Sequence, residues 1–117
     1  VYYDAREMAL SNGNEFHLAA WTNRGVIGIN RPKLTAKFRK RYPNSKVTHH
    51  EIHAEVDLVL NLRHGPPPEK IHVVRFLKDG TLTMARPCIH CQNFLRHAGV
   101  RRVRYTNWDG QWEEMKL

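Results

Sequence analysis

The 117-residue chain is 41% hydrophobic and 26% charged, the balance of a globular protein with one packed core, so a single domain spanning residues 1–117 is expected. No apolar run approaches the ~18 residues a membrane span needs, which excludes a membrane partner from the expectation. The net charge is +8, and its placement is uneven: between Phe16 and His50 there is no Asp or Glu, while Arg24, Arg31, Lys33, Lys37, Arg39, Lys40, Arg41 and Lys46 supply eight positive charges.

The remainder holds eleven basic and eleven acidic residues and balances. A phosphate-bearing partner is one reading of the basic segment, and a solvated basic loop is the plainer alternative. No signal peptide is read at the start, although the absent initiator Met fits a trimmed N-terminus. The two cysteines stand in C-x-x-C spacing, which suits a metal or redox site in a reducing cytoplasm better than a structural disulfide.

In chain order, residues 2–12 are predicted to form a short helix, with Gly13 past its C-cap. Residues 17–22 and 26–30 read as two strands around an Asn23-Arg24-Gly25 turn, a hairpin. Residues 31–50 are interrupted at Arg31-Pro32 and Tyr42-Pro43-Asn44, leaving either a short basic helix over 34–41 or a long loop. A helix over 52–63 carries Ala54, Leu58 and Leu62 at i+4 spacing, with Val56, Val59 and Leu60 apolar too, so it is expected to be buried on most sides. It stops at His64-Gly65 and three prolines. Two β-rich runs, 71–77 and 81–85, flank Asp79-Gly80. A third helix over 88–98 places Cys91, Phe94, Leu95 and Ala98 on one stripe and ends at Gly99. Strands over 100–106 and 112–117 follow. Only a short turn around residues 108–111 lies between these two, too brief for a parallel crossover, so they are expected to be antiparallel. The whole predicts an α/β fold: a mixed five-stranded sheet with helices on both faces.

Chemistry concentrates at Arg86-Pro87-Cys88-Ile89-His90-Cys91. Cysteines at i and i+3 share a helix face. At a helix N-terminus both thiols are expected to ionise easily, and together they make half of a tetrahedral zinc site. Upstream, His53-Ala54-Glu55 opens the buried helix. H-x-E followed by P-C-x-x-C is the signature of zinc deaminases. On these two motifs the chain resembles the cytidine and deoxycytidylate deaminase superfamily, from its first hairpin to its last strand.

That resemblance implies a three-layer α/β/α cytidine-deaminase-like fold and one Zn2+ per chain, held by His53, Cys88 and Cys91. Three protein ligands leave a position for water, whose pKa zinc lowers toward ~7. The resemblance makes Glu55 the proton carrier, taking the water proton and delivering it to the base. Backbone N–H groups near Ala54 and Cys88, beside Pro87, would polarise the reacting centre. Asn30, in Gly28-Ile29-Asn30, is similar to the G-x-N of nucleotide deaminases, whose Asn contacts the sugar; a strand-ending Asn is the plainer reading. Periodicity alone does not bring His53 and Glu55 together, because residues at i and i+2 do not face each other on a helix. They converge only if the metal sits off the helix end.

The expected activity is hydrolytic deamination of a cytosine-type nucleoside or nucleotide by a cytoplasmic homo-oligomer. One alternative is a deaminase of single-stranded DNA or RNA, held through the basic segment 31–46 with Lys37, Arg39, Lys40 and Arg41. Another is a catalytically silent zinc- or nucleic-acid-binding module on the same fold. The final antiparallel pair looks like the free-cytidine division. Arg86 departs from tRNA adenosine deaminases, and Met84-Ala85-Arg86 replaces the Ser-Trp-Ser/Thr of polynucleotide cytidine deaminases. Trp21, Tyr105, Trp108 and Trp112 could stack on a base, though buried aromatics are commoner. A zincin motif fails because His53 follows His50-Glu51 one residue too soon. A thioredoxin-like pair leaves His53-Ala54-Glu55 unexplained, and a purely structural zinc site leaves the adjacent carboxylate without a role.

Overall fold

A computed structural model of the chain describes residues 2–11, 17–30, 53–62 and 67–117. The predicted 34–41 helix and Lys37, Arg39, Lys40 and Arg41 lie outside the described residues. The described elements are α1 (Tyr2–Ser11), β1 (His17–Trp21), β2 (Ile27–Ile29), α2 (Ala54–Asn61), β3 (Lys70–Phe76), β4 (Leu82–Thr83), α3 (Ile89–His97), β5 (Arg102–Thr106) and β6 (Trp112–Lys116). No described helix is long and apolar enough to cross a membrane.

The sheet runs β2-β1-β3-β5-β6. β1 is antiparallel to β2 and β3, β3 is parallel to β5, and β5 is antiparallel to β6, as the short 107–111 connection requires. The 81–85 run contributes a sixth strand of two residues, β4. It pairs with β3 at Arg75↔Thr83 and Phe76↔Leu82, past the end of the β3–β5 pairing at Val73↔Tyr105. Thr106 Oγ1 donates to Thr83 O at 2.7 Å and Ala85 N donates to Thr106 O at 2.8 Å. β4 therefore wedges between the carboxyl ends of two parallel strands. Crevices at such ends are where open α/β sheets bind ligands.

The two faces of the sheet are covered by different layers. On one, Ala20, Ile71, Val73, Val103 and Tyr105 join Val56, Val59 and Leu60 of α2 and Cys91, Phe94 and Leu95 of α3 in the larger core. Val56, Leu58, Ile71, Val73, Leu95 and Val103 are fully buried there. On the other, Ala19, Trp21, Val74 and Phe76 meet Ala5 and Ala9 of α1, with Tyr2 and Leu10 alongside. Two alanines on the inward stripe let α1 lie close to the aromatics. The predicted helix–sheet–helix layering is what forms.

How α2 sits on the edge strand fixes the position of its first turn. Gly28 is the contact point: a Cβ there would lie 2.2 Å from Leu58 N and 2.5 Å from Ala54 O, so only glycine allows this approach. Asp57 Oδ2 accepts from Ile29 N at 3.0 Å, and Asn61 Nδ2 donates to Ile27 O at 2.9 Å. Side chains of α2 thus satisfy backbone groups of β2 that have no further strand to pair with among the described residues. The result aims the N-terminus of α2 past the end of β2.

Candidate metal centre

The two helices begin one or two residues later than their sequence patterns predict, and the difference matters. His53 is the N-cap of α2 (φ −70°, ψ 156°) and Cys88 the N-cap of α3 (φ −66°, ψ 165°). Neither side chain makes a capping hydrogen bond, although these are positions where Ser, Thr, Asp or Asn usually serves that purpose. Their carbonyls accept the first helical bonds, from Asp57 N at 3.0 Å and Gln92 N at 2.8 Å. Because His53 is extended rather than helical, its ring leaves off the helix end. That removes the i, i+2 difficulty and lets it share a site with Glu55.

The two N-caps meet. His53 Nδ1 lies 3.1 Å from Cys91 Sγ and 4.0 Å from Cys88 Sγ. The three donor atoms all fall within 4.8 Å of one another. Zinc–sulfur bonds of about 2.3 Å and zinc–nitrogen bonds of about 2.0 Å space such donors about 3.6 Å apart around a tetrahedron, so one ion fits this set with small adjustments. Among the described residues this is the cluster able to hold a metal, and it comprises the three ligands predicted.

The electrostatics of the cluster favour a cation. Glu55 is only 2% exposed. Burial raises its pKa above the usual carboxylate value, the His53 ring and a hydrogen bond with Cys91 pull it back, and Cys88 pushes it further up. Cys88, half-buried, has its pKa lowered to about 3, first by the hydrogen bond from the Cys91 thiol and then by His53. Cys91, fully buried, is pushed up because its thiol donates to Cys88, because burial disfavours its thiolate and because Glu55 stands beside it. The expectation that both thiols ionise easily is thus corrected for the metal-free site. One thiolate forms and holds the other thiol's proton, since a second anion next to Glu55 has no compensation. A divalent ion supplies that compensation, and two sulfurs with one imidazole suit zinc.

The remaining predicted residues are placed as follows. Ala54 is buried as the first residue of α2. Pro87 is buried and directly precedes the N-cap of α3. Its carbonyl accepts from Gln92 Nε2 at 2.8 Å, a lock on the chain entering α3 that sequence reasoning missed. Asn30, 3% exposed, uses Oδ1 to accept from Leu18 N at 2.9 Å, fastening the end of β2 to the start of β1. Trp21 and Tyr105 are core residues, Trp112 is half-buried, and Trp108 is 72% exposed on the β5–β6 turn. Arg86, His90 and His97 are exposed. His17 and His72 are buried and structural: His17 Nδ1 bonds Ala9 O at 2.8 Å, and His72 Nε2 bonds Asn23 Oδ1 at 2.9 Å.

Gly28 and Asp57 also went unassigned as positioning residues. A lone glycine inside a β-rich run is a recognised sign of close backbone approach, so Gly28 had a signal. Asp57 and Gln92 had none, because their partners are backbone groups 28 and five residues away. Comparison of the chain with models of known protein families, with curated proteins and with solved structures finds no match.

Proposed function

We propose that the chain is a zinc-dependent hydrolytic deaminase of a cytosine-type nucleoside or nucleotide. The observation that carries this reading is the buried Glu55 carboxyl in hydrogen-bond contact with Cys91, beside three metal donors presented by two helix N-termini. His53, Cys88 and Cys91 would hold the ion. Zinc in such a site supplies Lewis acidity, making water a nucleophile at neutral pH.

The chain's own part is proton transfer and orientation. In the net reaction water adds at C4 of the cytosine ring, the bond from C4 to the exocyclic nitrogen breaks, and ammonia leaves. Glu55 receives the proton that water gives up, passes it to the ring nitrogen and then assists the departing amine. Desolvation suits the group to this work, because a carboxyl whose pKa is raised holds a proton more readily near neutrality. The N–H groups at the first turns of α2 and α3, near Ala54 and Cys88, favour negative charge developing beside them. Asn30, Ala54 and Pro87 are the proposed substrate contacts, Asn30 through the amide that already anchors β2. The proposal extends to a cytoplasmic homo-oligomer whose adjoining subunits complete the pocket.

The test is ammonia release from cytidine, deoxycytidine and dCMP by protein of measured zinc content. Turnover that disappears in Glu55→Ala with zinc retained supports the reading. Stoichiometric zinc without turnover on any base overturns it, and activity confined to oligonucleotides transfers it to polynucleotide substrates.

A further inference from the structure

We infer that the half of the second sheet face left uncovered by α1 is a docking surface for single-stranded nucleic acid. The helix α1 packs on β1, β2 and β3. Beyond it, among the described residues, the face is built by Lys70 and His72 of β3, Arg102 and Arg104 of β5, and Trp112, Glu114 and Lys116 of β6. The register aligns Lys70 with Arg102 and Arg102 with Lys116, so three cations stand side by side across three adjacent strands. Strands in a sheet are about 4.8 Å apart, and like charges placed directly opposite destabilise a strand pair. Arg102 and Lys116 are exposed and Lys70 is half-exposed.

One row further along, His72 aligns with Arg104 and Arg104 with Glu114. Glu114 bonds Lys70 at 2.7 Å and is the only carboxylate that these rows place on the face, since Glu113 alternates to the other side opposite Tyr105. Four cations therefore answer to one anion in a part of the chain whose sequence charge balances. The arrangement is uneven only once the strands are paired.

The chemistry of the patch selects its occupant. A patch in which four cations share one carboxylate repels a second copy of itself and favours a polyanion. Arg104 lies over the Trp112 indole, 4.1 Å from guanidinium carbon to ring centroid, a cation–aromatic pair within the patch. Phosphate-binding cations beside a surface on which bases can stack are the working parts of single-strand binding. The patch lies on the opposite face from α2 and α3 and toward the amino ends of β3 and β5, away from the metal donors. It would tether a strand rather than present a base for reaction, and it does not depend on the deaminase reading.

The experiment measures binding of a labelled 15-nucleotide oligothymidylate to the zinc-loaded chain by fluorescence anisotropy over a range of KCl concentrations. The wild-type chain is compared with Arg102→Ser/Lys116→Ser, with Arg104→Ser, and with the charge-keeping Arg102→Lys. Unfolding midpoints establish that each variant is folded. With single strands contributing about 0.7 to the salt slope per phosphate contact, the double variant is expected to lower the slope of log K against log [KCl] by about 1.4. Its affinity at low salt should fall at least tenfold, Arg104→Ser should weaken binding, and Arg102→Lys should hold the slope. No binding by the wild-type chain at low salt, or an unchanged slope in the double variant, overturns the proposal. So does polyglutamate of equal length competing as well as oligothymidylate, which would make the surface one for acidic protein. Because binding is read without turnover, an inactive metal centre leaves the outcome intact.

Discussion

The fold buries a titratable side chain on each face of one sheet, and the two have opposite surroundings. On the α2/α3 face Glu55 sits against His53, Cys88 and Cys91, all capable of exchanging protons or holding a metal. On the α1 face His72 is stacked on Trp21 with ring centroids 5.4 Å apart, and edge-on to Trp112 at 6.4 Å. Its Nε2 bonds Asn23, and its buried Nδ1 has no hydrogen-bond partner among the described residues. Burial pushes both groups toward their neutral forms, raising Glu55 and lowering His72. Displacement of a pKa therefore does not by itself mark a functional group. What separates the two is the partners: Glu55 faces other reactive atoms, and His72 faces rings.

The largest expected effect breaks the comparison on the Glu55 side. Glu55→Gln keeps the shape and the metal donors and removes the proposed proton carrier, so deaminase turnover should fall about 10²- to 10⁴-fold with zinc content unchanged. His72→Leu should leave turnover within a few-fold of wild type. Similar losses in both variants, measured as ammonia release at saturating zinc, would erase the distinction.

A second effect sharpens it within the metal centre. With zinc stripped by a chelator, Cys88 is a half-exposed thiolate at pH 6 while Cys91 remains a buried thiol. Brief treatment with iodoacetamide should add one label, at Cys88, and zinc should protect against it. Equal labelling of both cysteines, read by peptide mass spectrometry, would contradict the proton sharing described above.

The third concerns how the Glu55 side is held in place. Gly28→Ala puts a methyl group into the backbone of α2, so helix and strand must separate. A loss of about 1–3 kcal/mol or more is expected from denaturant unfolding, accompanied by weaker zinc retention. Asp57→Ala strands the Ile29 N–H and should cost about 1–3 kcal/mol with a smaller effect on zinc.

These variants also mark the boundary of what the sequence could disclose. The hairpin, the buried α2, the striped α3 and the antiparallel β5–β6 pair were legible because each is written in local periodicity and turn residues. The metal donors were legible because His53 and the Cys88/Cys91 pair open helices whose patterns are strong. The lesson of Gly28 is that a close approach needs two elements, and only one of them is written at the glycine. The inequality of Cys88 and Cys91 was hidden for a related reason: it comes from which of them the fold buries beside Glu55. The cationic row of Lys70, Arg102 and Lys116 depends on a parallel and an antiparallel register at once, so a charge count along the chain averages it away.

The smallest effect tests whether the two buried groups answer to pH with opposite signs. For His72, desolvation first, then Arg104 and Lys70, lower the folded pKa below the ordinary 6.5, while Glu114 opposes them. Between the folded value and 6.5 the unfolded chain binds more protons, so stability rises with pH there. The stabilisation is complete above 6.5 and is lost as pH falls through the folded value. For Glu55 in the zinc-free chain the folded pKa lies above the ordinary 4.5. The folded state then binds more protons between 4.5 and that value, and stability falls as pH rises through the window. Urea midpoints of the zinc-free chain across pH 4 to 8 should therefore carry two opposing contributions that separate by mutation. His72→Leu should remove the decline on acidification below about 6.5 while changing neutral stability by about 1 kcal/mol, the net worth of its bond to Asn23. Glu55→Gln should remove the component that falls with rising pH. If His72→Leu left the acid limb as steep as in wild type, the imidazole would not be held neutral by its burial and its cationic neighbours, and the likeness between the two faces would fail on the α1 side.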